Sequence, residues 1–512
     1  MRDFRVGKYN ASTIIRSGVL ERLYTGVECR ELDRIAIEEC GIPGFDLMER
    51  AGRATFAELL ARWPEARSVS VCCGKGNNAG DGYIIAGLAL QVGMSVELIQ
   101  LGDPGELRGD AARARDWAEA AGVQVHAGPT DTLRGEVVVD ALLGTGISGD
   151  LRPAYKDLVR VINDSGHGVL AVDVPTGVSA DTGAACEVSV VADVTVTFIG
   201  RKLGLYTGPG VSLCGDVVFA GLGVPDEVFN QVPGLPLLRY PDLPPLPRRD
   251  ANAYKQALGH VAVLGGDHSM GGATLMAGEA ALRVGAGLVS LITRAAHRPA
   301  VLSRRPELMV VDADDQQGRR ELLSRASTLI VGPGLGRAAW GHGLLAEAVE
   351  SGKPLVLDAD GLHGFATLGL QSSAPIIVTP HAGEAAMLLE TSADDIQADR
   401  VAAVKRLAQR VSGVAVLKGA GSLVAEARKA GPQLVGVCAH GNPGMASAGM
   451  GDVLSGVIGG LLAQGLSPAE AAIRGVCLHS AGADVAARQV GQRSLLATDL
   501  LEPMMDMLRE RA

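Results

Sequence analysis

One recurring phrase constrains this chain more than any other: a short β-branched run, then a glycine-rich turn, then a helical pattern. It occurs as SVSVCC before GKGNNAGDG, EVVVDALL before GTGISGD and GVLAVDV before PTGVSADTG. It returns as HVAVLGG, STLIVGPGLG, PLVLDADGL, PIIVTPHAGE and VAVLKGAGS. Strands that are apolar throughout and alternate with helices predict parallel sheets covered on both faces. In such sheets ligands bind beyond the carboxyl ends of the strands, where the glycine-rich turns lie. The same grammar stands on both sides of residues 233–250, PGLPLLRYPDLPPLPRRD. Those prolines predict a semi-extended linker and neither a helix nor a central strand. The expected architecture is α/β in two domains with one active edge each. Residues 1–23 read as an extension, 24–232 as the first domain, 233–250 as the linker and 251–512 as the second domain.

A length of 512 residues suits two domains of about 250. Lys and Arg number 47 against 57 Asp and Glu, a net charge of −10 with no basic stripe, which argues against nucleic acid as the main ligand. The eight cysteines are scattered and form no CxxC, so they read as thiols of a reducing, cytoplasmic compartment. No apolar run reaches the ~18 residues that span a bilayer. The basic first 22 residues lack the apolar core of a signal peptide.

In the first half, Gly74–Gly82 (GKGNNAGDG) follows a strand and opens a helix, so free N–H groups face an incoming anion. It is not a Walker loop, because no Ser or Thr follows Lys75 at the helix start. Asp140 ends one apolar strand; Asp173 and Thr176 follow another. Carboxylate, hydroxyl and the amide oxygen of Asn78 are hard donors that suit an alkali or alkaline-earth ion and not zinc.

NNAGDG, DALLGTGISGD, AVDVPTGVSADTG and FIGRKLGLYTGPG, in that order, resemble the NAD(P)HX epimerase domain of the YjeF N-terminal type over residues 24–230. Ala79 stands where that pattern usually has Gly, and Thr176 where it often has Ser. The resemblance implies a Rossmann-like three-layer sandwich. It implies potassium on Asn78, Asp140 and Thr176. It also implies a hydrated dinucleotide on Asn77, Asn78, Ala79, Gly80 and Asp81 and on Gly144, Thr145, Gly146, Ile147, Ser148, Gly149 and Asp150. Asp173 contacts the substrate as the candidate acid/base.

In the second half, Gly449-Met450-Gly451-Asp452 precedes an apolar helix. Its N–H groups form an anion hole for a phosphoryl group, and Asp452 could deprotonate a hydroxyl nucleophile. Lys418-Gly419-Ala420-Gly421-Ser422 follows a strand and could meet another phosphate. His381 follows a third strand, where a locally bonded helix-start histidine is the alternative reading. On these residues alone the domain could equally be a small-molecule kinase, with the first half a passive binding module.

GGATLMAGEAALRVGAGLVSL, VGPGLGR, LDADGL, TPHAGE, KGAGS and GNPGMASAGMGDVLSG resemble the NAD(P)HX dehydratase group of the ribokinase-like superfamily over residues 250–508. Ala382 stands where members often have Pro, and Met450 where they have Ser or Thr. The resemblance implies a ribokinase-like three-layer α/β domain with Asp452 as base. Ala273, Gly334, His381 and Asp452 are to line the (S)-hydrate site, and Lys418–Ser422 with Gly451 the nucleotide site. ADP is the implied phosphoryl donor, with ATP possible, and magnesium bridges its phosphates. The substrates implied are NADHX and NADPHX, and the assembly a homo-oligomer.

Overall fold

The computed structural model describes residues 21–147 and 149–511. The first half forms a seven-stranded, wholly parallel sheet in the order Val125–Ala127, Ser95–Gln100, Ser68–Cys73, Val137–Ala141, Gly168–Val172, Val194–Phe198, Asp216–Ala220. Because side chains alternate along a strand, each strand feeds two cores. Val69, Val71, Val137, Val139, Leu170 and Val172 pack with helices Gly44–Arg62, Asn77–Gln91 and Gly109–Ala120. Cys72, Val138, Val169 and Ala171 pack with helix Pro153–Asp164 on the opposite face. The result is the three-layer sandwich that the apolar strand pattern predicts.

The second half repeats this construction. Strands Met309–Asp312, Leu288–Thr293, His260–Leu264, Thr328–Val331, Leu355–Leu357, Ile376–Val378 and Val414–Leu417 run parallel in that order. The antiparallel pair Leu423–Arg428 and Gly431–Cys438 extends them. Val261, Leu291, Ile330 and Val356 pack with helices Gly271–Arg283, Met450–Ala463 and Pro468–Val490, while Ala262, Leu329, Leu355 and Ile376 pack with helices on the other face.

The join differs from the expected linker. Leu235–Leu238 is a strand with a neighbour on each side, parallel to Gly431–Cys438 and antiparallel to Arg22–Tyr24, which pairs in turn with Arg201–Lys202. The second sheet thus reaches twelve strands, the last two from the first half of the chain and from the end of the expected extension. Pro236 is tolerated because the two-residue register with Gly431–Cys438 begins only at Leu237, while the Leu237 N–H goes the other way, to the Glu21 carbonyl at 2.8 Å. The proline that argues against a central strand falls where its missing donor is not needed.

The eight cysteines are all free thiols, six of them buried. Among the described residues no helix is long and apolar enough to cross a membrane.

Candidate functional sites

The first edge collects the ends of strands Ser68–Cys73, Val137–Ala141 and Gly168–Val172. Asp140 is fully buried; its carboxylate accepts the Thr176 hydroxyl at 2.8 Å, the Thr176 N–H at 2.7 Å and the Leu142 N–H at 3.2 Å. Burial pushes the Asp140 carboxyl up to about 6, against the lowering effect of those bonds. Asn78, in the first turn of helix Asn77–Gln91, is buried with its Nδ2 unpartnered among the described residues. Its Oδ1 and the Asp173 Oδ2 both approach Gly144, at 3.5 and 3.7 Å from where a Cβ would stand. Asn78, Ala79, Gly80 and Asp81 are buried and Asn77 is exposed. Burial, reinforced by the charge of Asp173, pushes the Asp81 carboxyl well up. Thr145, Gly146, Ile147 and Gly149 continue the facing loop. Asp150 is drawn to Lys156 at 2.5 Å, which holds its carboxyl below the usual range. Ser148 lies outside the described residues.

Asp173 ends its strand with φ at 67°, a left-handed conformation unusual for a residue with a Cβ and typical of functional turns. Its Oδ1 accepts from the Lys202 ammonium, the Thr197 hydroxyl at 3.2 Å and the Phe198 N–H at 3.3 Å. Lys202 is buried, and its ammonium also donates to the Phe198 carbonyl at 2.9 Å. Burial works against that charge, but Asp173, with Cys29 and Asp33 nearby, holds the Lys202 pKa above its usual value. Sequence reasoning quoted FIGRKLGLY without singling out this lysine. Its signal was a pair of charges, Arg201 and Lys202, closely following an apolar strand, where burial of either would be costly without a partner.

The second edge collects strands Thr328–Val331, Leu355–Leu357, Ile376–Val378 and Val414–Leu417. Helix Met450–Ala463 starts here, with Gly449 as its N-cap. A Cβ on Gly451 would stand 3.0 Å from the Asp358 carboxylate and 3.3 Å from the Lys418 ammonium, so a larger residue would press on both. Lys418 donates to Asp358 at 2.7 Å and lies 3.7 Å from Glu384. Burial opposes its charge, yet these carboxylates hold its pKa above the usual value. Asp452 is pushed up to about 7, first by burial and then by the charge of Asp358, with Lys418 pulling the other way. Asp358, almost wholly buried, belongs to LDADGL and was not singled out in the sequence.

Ala273 and Gly334 meet: a Cβ on Gly334 would stand 3.3 Å from that of Ala273. His381 is the N-cap of helix Ala382–Leu389. Its Nδ1 accepts the N–H groups of Gly383 at 3.0 Å and Glu384 at 3.3 Å, and its side chain is 60% exposed. The local-bonding alternative describes it in this state. In the Lys418–Ser422 loop, the Ala420 carbonyl accepts the Gly208 N–H at 3.1 Å and the Gly421 carbonyl the Thr207 hydroxyl at 3.2 Å, both from the first half of the chain.

Two parallel-sheet edges each bring an aspartate and a lysine, buried at Lys202 and half-buried at Lys418, beside a glycine-opened helix, an arrangement of the kind an α/β enzyme with two sites presents. Residues 44–204 match the family described as YjeF-related protein N-terminus, and residues 261–505 match NAD(P)H-hydrate dehydratase. The chain is 47% identical over 484 residues to the bifunctional NAD(P)H-hydrate repair enzyme Nnr of Coxiella burnetii, covering 93% of this chain and 97% of that protein. It is 41% identical over 483 residues to that of Escherichia coli, covering 93% and 92%. Among solved structures, the ADP/ATP-dependent NAD(P)H-hydrate dehydratase of Bacillus subtilis, co-crystallised with ATP and Mg2+, is 26% identical. That match has a TM-score of 0.46 and covers 52% of this chain and 95% of the other. The chain belongs to the family of bifunctional NAD(P)H-hydrate repair enzymes.

Proposed function

We propose that the chain returns hydrated NADH and NADPH to use in two steps, one at each edge. The reading rests on one observation above all: the Gly449–Asp452 turn meets Lys418 and Asp358, with Asp452 poised near neutrality.

At the first edge the R and S hydrates interconvert. Opening and re-closing the hydrated ring requires a proton to be moved on and off, and Asp173, oriented by Lys202, is the group that moves it. Asn77–Asp81 and Gly144–Asp150 line the dinucleotide. Asn78, Asp140 and Thr176 would hold potassium. The amide oxygen of Asn78, the buried Asp140 carboxylate and the Thr176 hydroxyl are hard oxygen donors that fit a monovalent cation, which would keep Asp140 ionised and supply positive charge for the substrate's oxygens.

At the second edge Asp452 takes the proton from the hydroxyl of the S hydrate as that oxygen attacks the terminal phosphoryl of ADP, and AMP leaves. The phosphate ester then departs with its C–O electron pair, and loss of a proton from the adjacent carbon restores the ring double bond. Phosphorylation makes a poor leaving group a good one, which is why a kinase-like site performs a dehydration. Lys418–Ser422 and Gly451 hold the nucleotide; Ala273, Gly334 and His381 border the hydrate. Asp358, Glu384 and Asp452 outnumber the Lys418 ammonium, an acidic surplus that suits a magnesium-loaded donor. ADP is the preferred donor, with ATP as the alternative.

The eight free thiols favour a cytoplasmic setting, and resemblance to the family favours a homo-oligomer. The test is recovery of reduced-nicotinamide absorbance from an R/S mixture of hydrated NADH with ADP, magnesium and potassium. Complete, ADP-dependent recovery is expected. Accumulation of a stable phosphorylated product without recovery would make the second domain an ordinary small-molecule kinase.

A further inference from the structure

Arg400, the first residue of helix Arg400–Val411, heads the largest fully buried side chains of the protein, and burial alone pulls its pKa down to about 10. No ion pair among the described residues includes it. A buried guanidinium without a counter-charge is costly unless its donors are satisfied. They are satisfied by neutral oxygens: Leu417 and Lys418 carbonyls at 3.3 Å, Gln397 Oε1 at 3.2 Å and the Thr207 hydroxyl at 3.2 Å. The Lys418 carbonyl begins the loop Lys418–Ser422, and Leu417 ends the strand that leads into it. Thr207 comes from the other half of the chain, and its hydroxyl donates onward to the Gly421 carbonyl while the Gly208 N–H holds that of Ala420. Gly421 has φ at 61°, and a Cβ there would collide with the Tyr206 carbonyl.

A Gly-Ala-Gly-Ser loop has few side chains with which to fix its own shape. Here it is fixed from beneath by Arg400 and from outside by Tyr206–Gly208. The Lys418 peptide that Arg400 grips carries the ammonium bonded to Asp358, so the grip reaches the base's immediate surroundings. We infer that Thr207 and Arg400 are positioning residues for the nucleotide loop, so that the first half of the chain completes the nucleotide site of the second. The inference rests on the reading of Lys418–Ser422 as a nucleotide-binding segment.

Thr207→Val removes one hydroxyl at nearly constant volume and leaves the Arg400 Nε unpaired. Thr207→Ser keeps the bond. MgADP affinity is read by calorimetry, and KM and kcat by steady-state dehydration of the S hydrate. Thr207→Val should raise both the Kd and the KM for MgADP about 5- to 30-fold, with kcat within about twofold and epimerisation unchanged. Thr207→Ser should lie close to the unaltered protein. Should Thr207→Val fail to fold, Arg400→Lys, which keeps the charge and loses the fork, should weaken MgADP in the same way. Unchanged MgADP affinity in a folded variant would overturn the positioning role, as would loss of kcat alone. An unaltered protein that binds no MgADP would overturn the nucleotide reading of the loop first, and the two failures are thereby told apart.

Discussion

At the first edge the buried Lys202 bonds directly to Asp173; at the second, the half-buried Lys418 bonds to Asp358 and leaves Asp452 to one side. The first pairing holds its aspartate within a fan of donors, the Lys202 ammonium, the Thr197 hydroxyl and the Phe198 N–H. At the second, burial first and the charge of Asp358 second push Asp452 up to about 7, against the pull of Lys418. The same two residue types thus give a carboxylate bonded to an ammonium in one place and, in the other, a buried carboxylate raised toward neutrality beside a neighbour that the lysine serves instead.

The sharpest break of this comparison is Asp452→Ala, which should lower NADH recovery from the S hydrate by about 10²–10⁴ while epimer exchange, read by chromatography, continues. Loss of both activities would join the two edges into one. Next in size, Lys202→Met should slow conversion of R to S by about 10²-fold, the lower end for a disabled acid–base group. It should leave S-hydrate turnover untouched, so an equal fall in both would deny Lys202 a place at the first edge alone.

The third concerns pH. The base must be ionised, so dehydration should rise with pH through about 7 as Asp452 loses its proton. Asp358→Asn removes a charge that raises that pKa, and the limb should move to lower pH by about one unit. A limb that stays in place would mean that another group sets it. The smallest effect is expected from the ion. Replacing potassium with a bulky organic cation should slow epimerisation by several-fold and spare dehydration, because Asn78, Asp140 and Thr176 belong to one edge; equal slowing of both reactions would remove potassium from that edge.

The turns at both edges were legible because strand-end glycines and aspartates are written locally: NNAGDG, AVDVPTG and GMGD each lie in one contiguous segment. Lys202 and Asp358 were not, because a charge after an apolar strand acquires meaning only once the fold supplies its partner. The Leu235–Leu238 strand was hidden for a related reason. Proline density speaks against a strand residue by residue, but whether a missing N–H matters depends on which neighbour that residue faces. His381 was legible in its local role, because a histidine at a helix start bonds to N–H groups two and three residues on. The contact of Thr207 with Arg400 and Gly421 joins segments about two hundred residues apart and has no sequence signature.

The most direct test of two separate centres mixes two crippled proteins. Asp173→Ala alone should restore NADH from an R/S mixture only until the S form is spent, and Asp452→Ala alone should restore none. Combined in equal amounts with ADP and magnesium, they should carry recovery to completion, because the R hydrate is epimerised on one molecule and dehydrated on another. A mixture that stalls where Asp173→Ala stalls would contradict the assignment of one reaction to each edge.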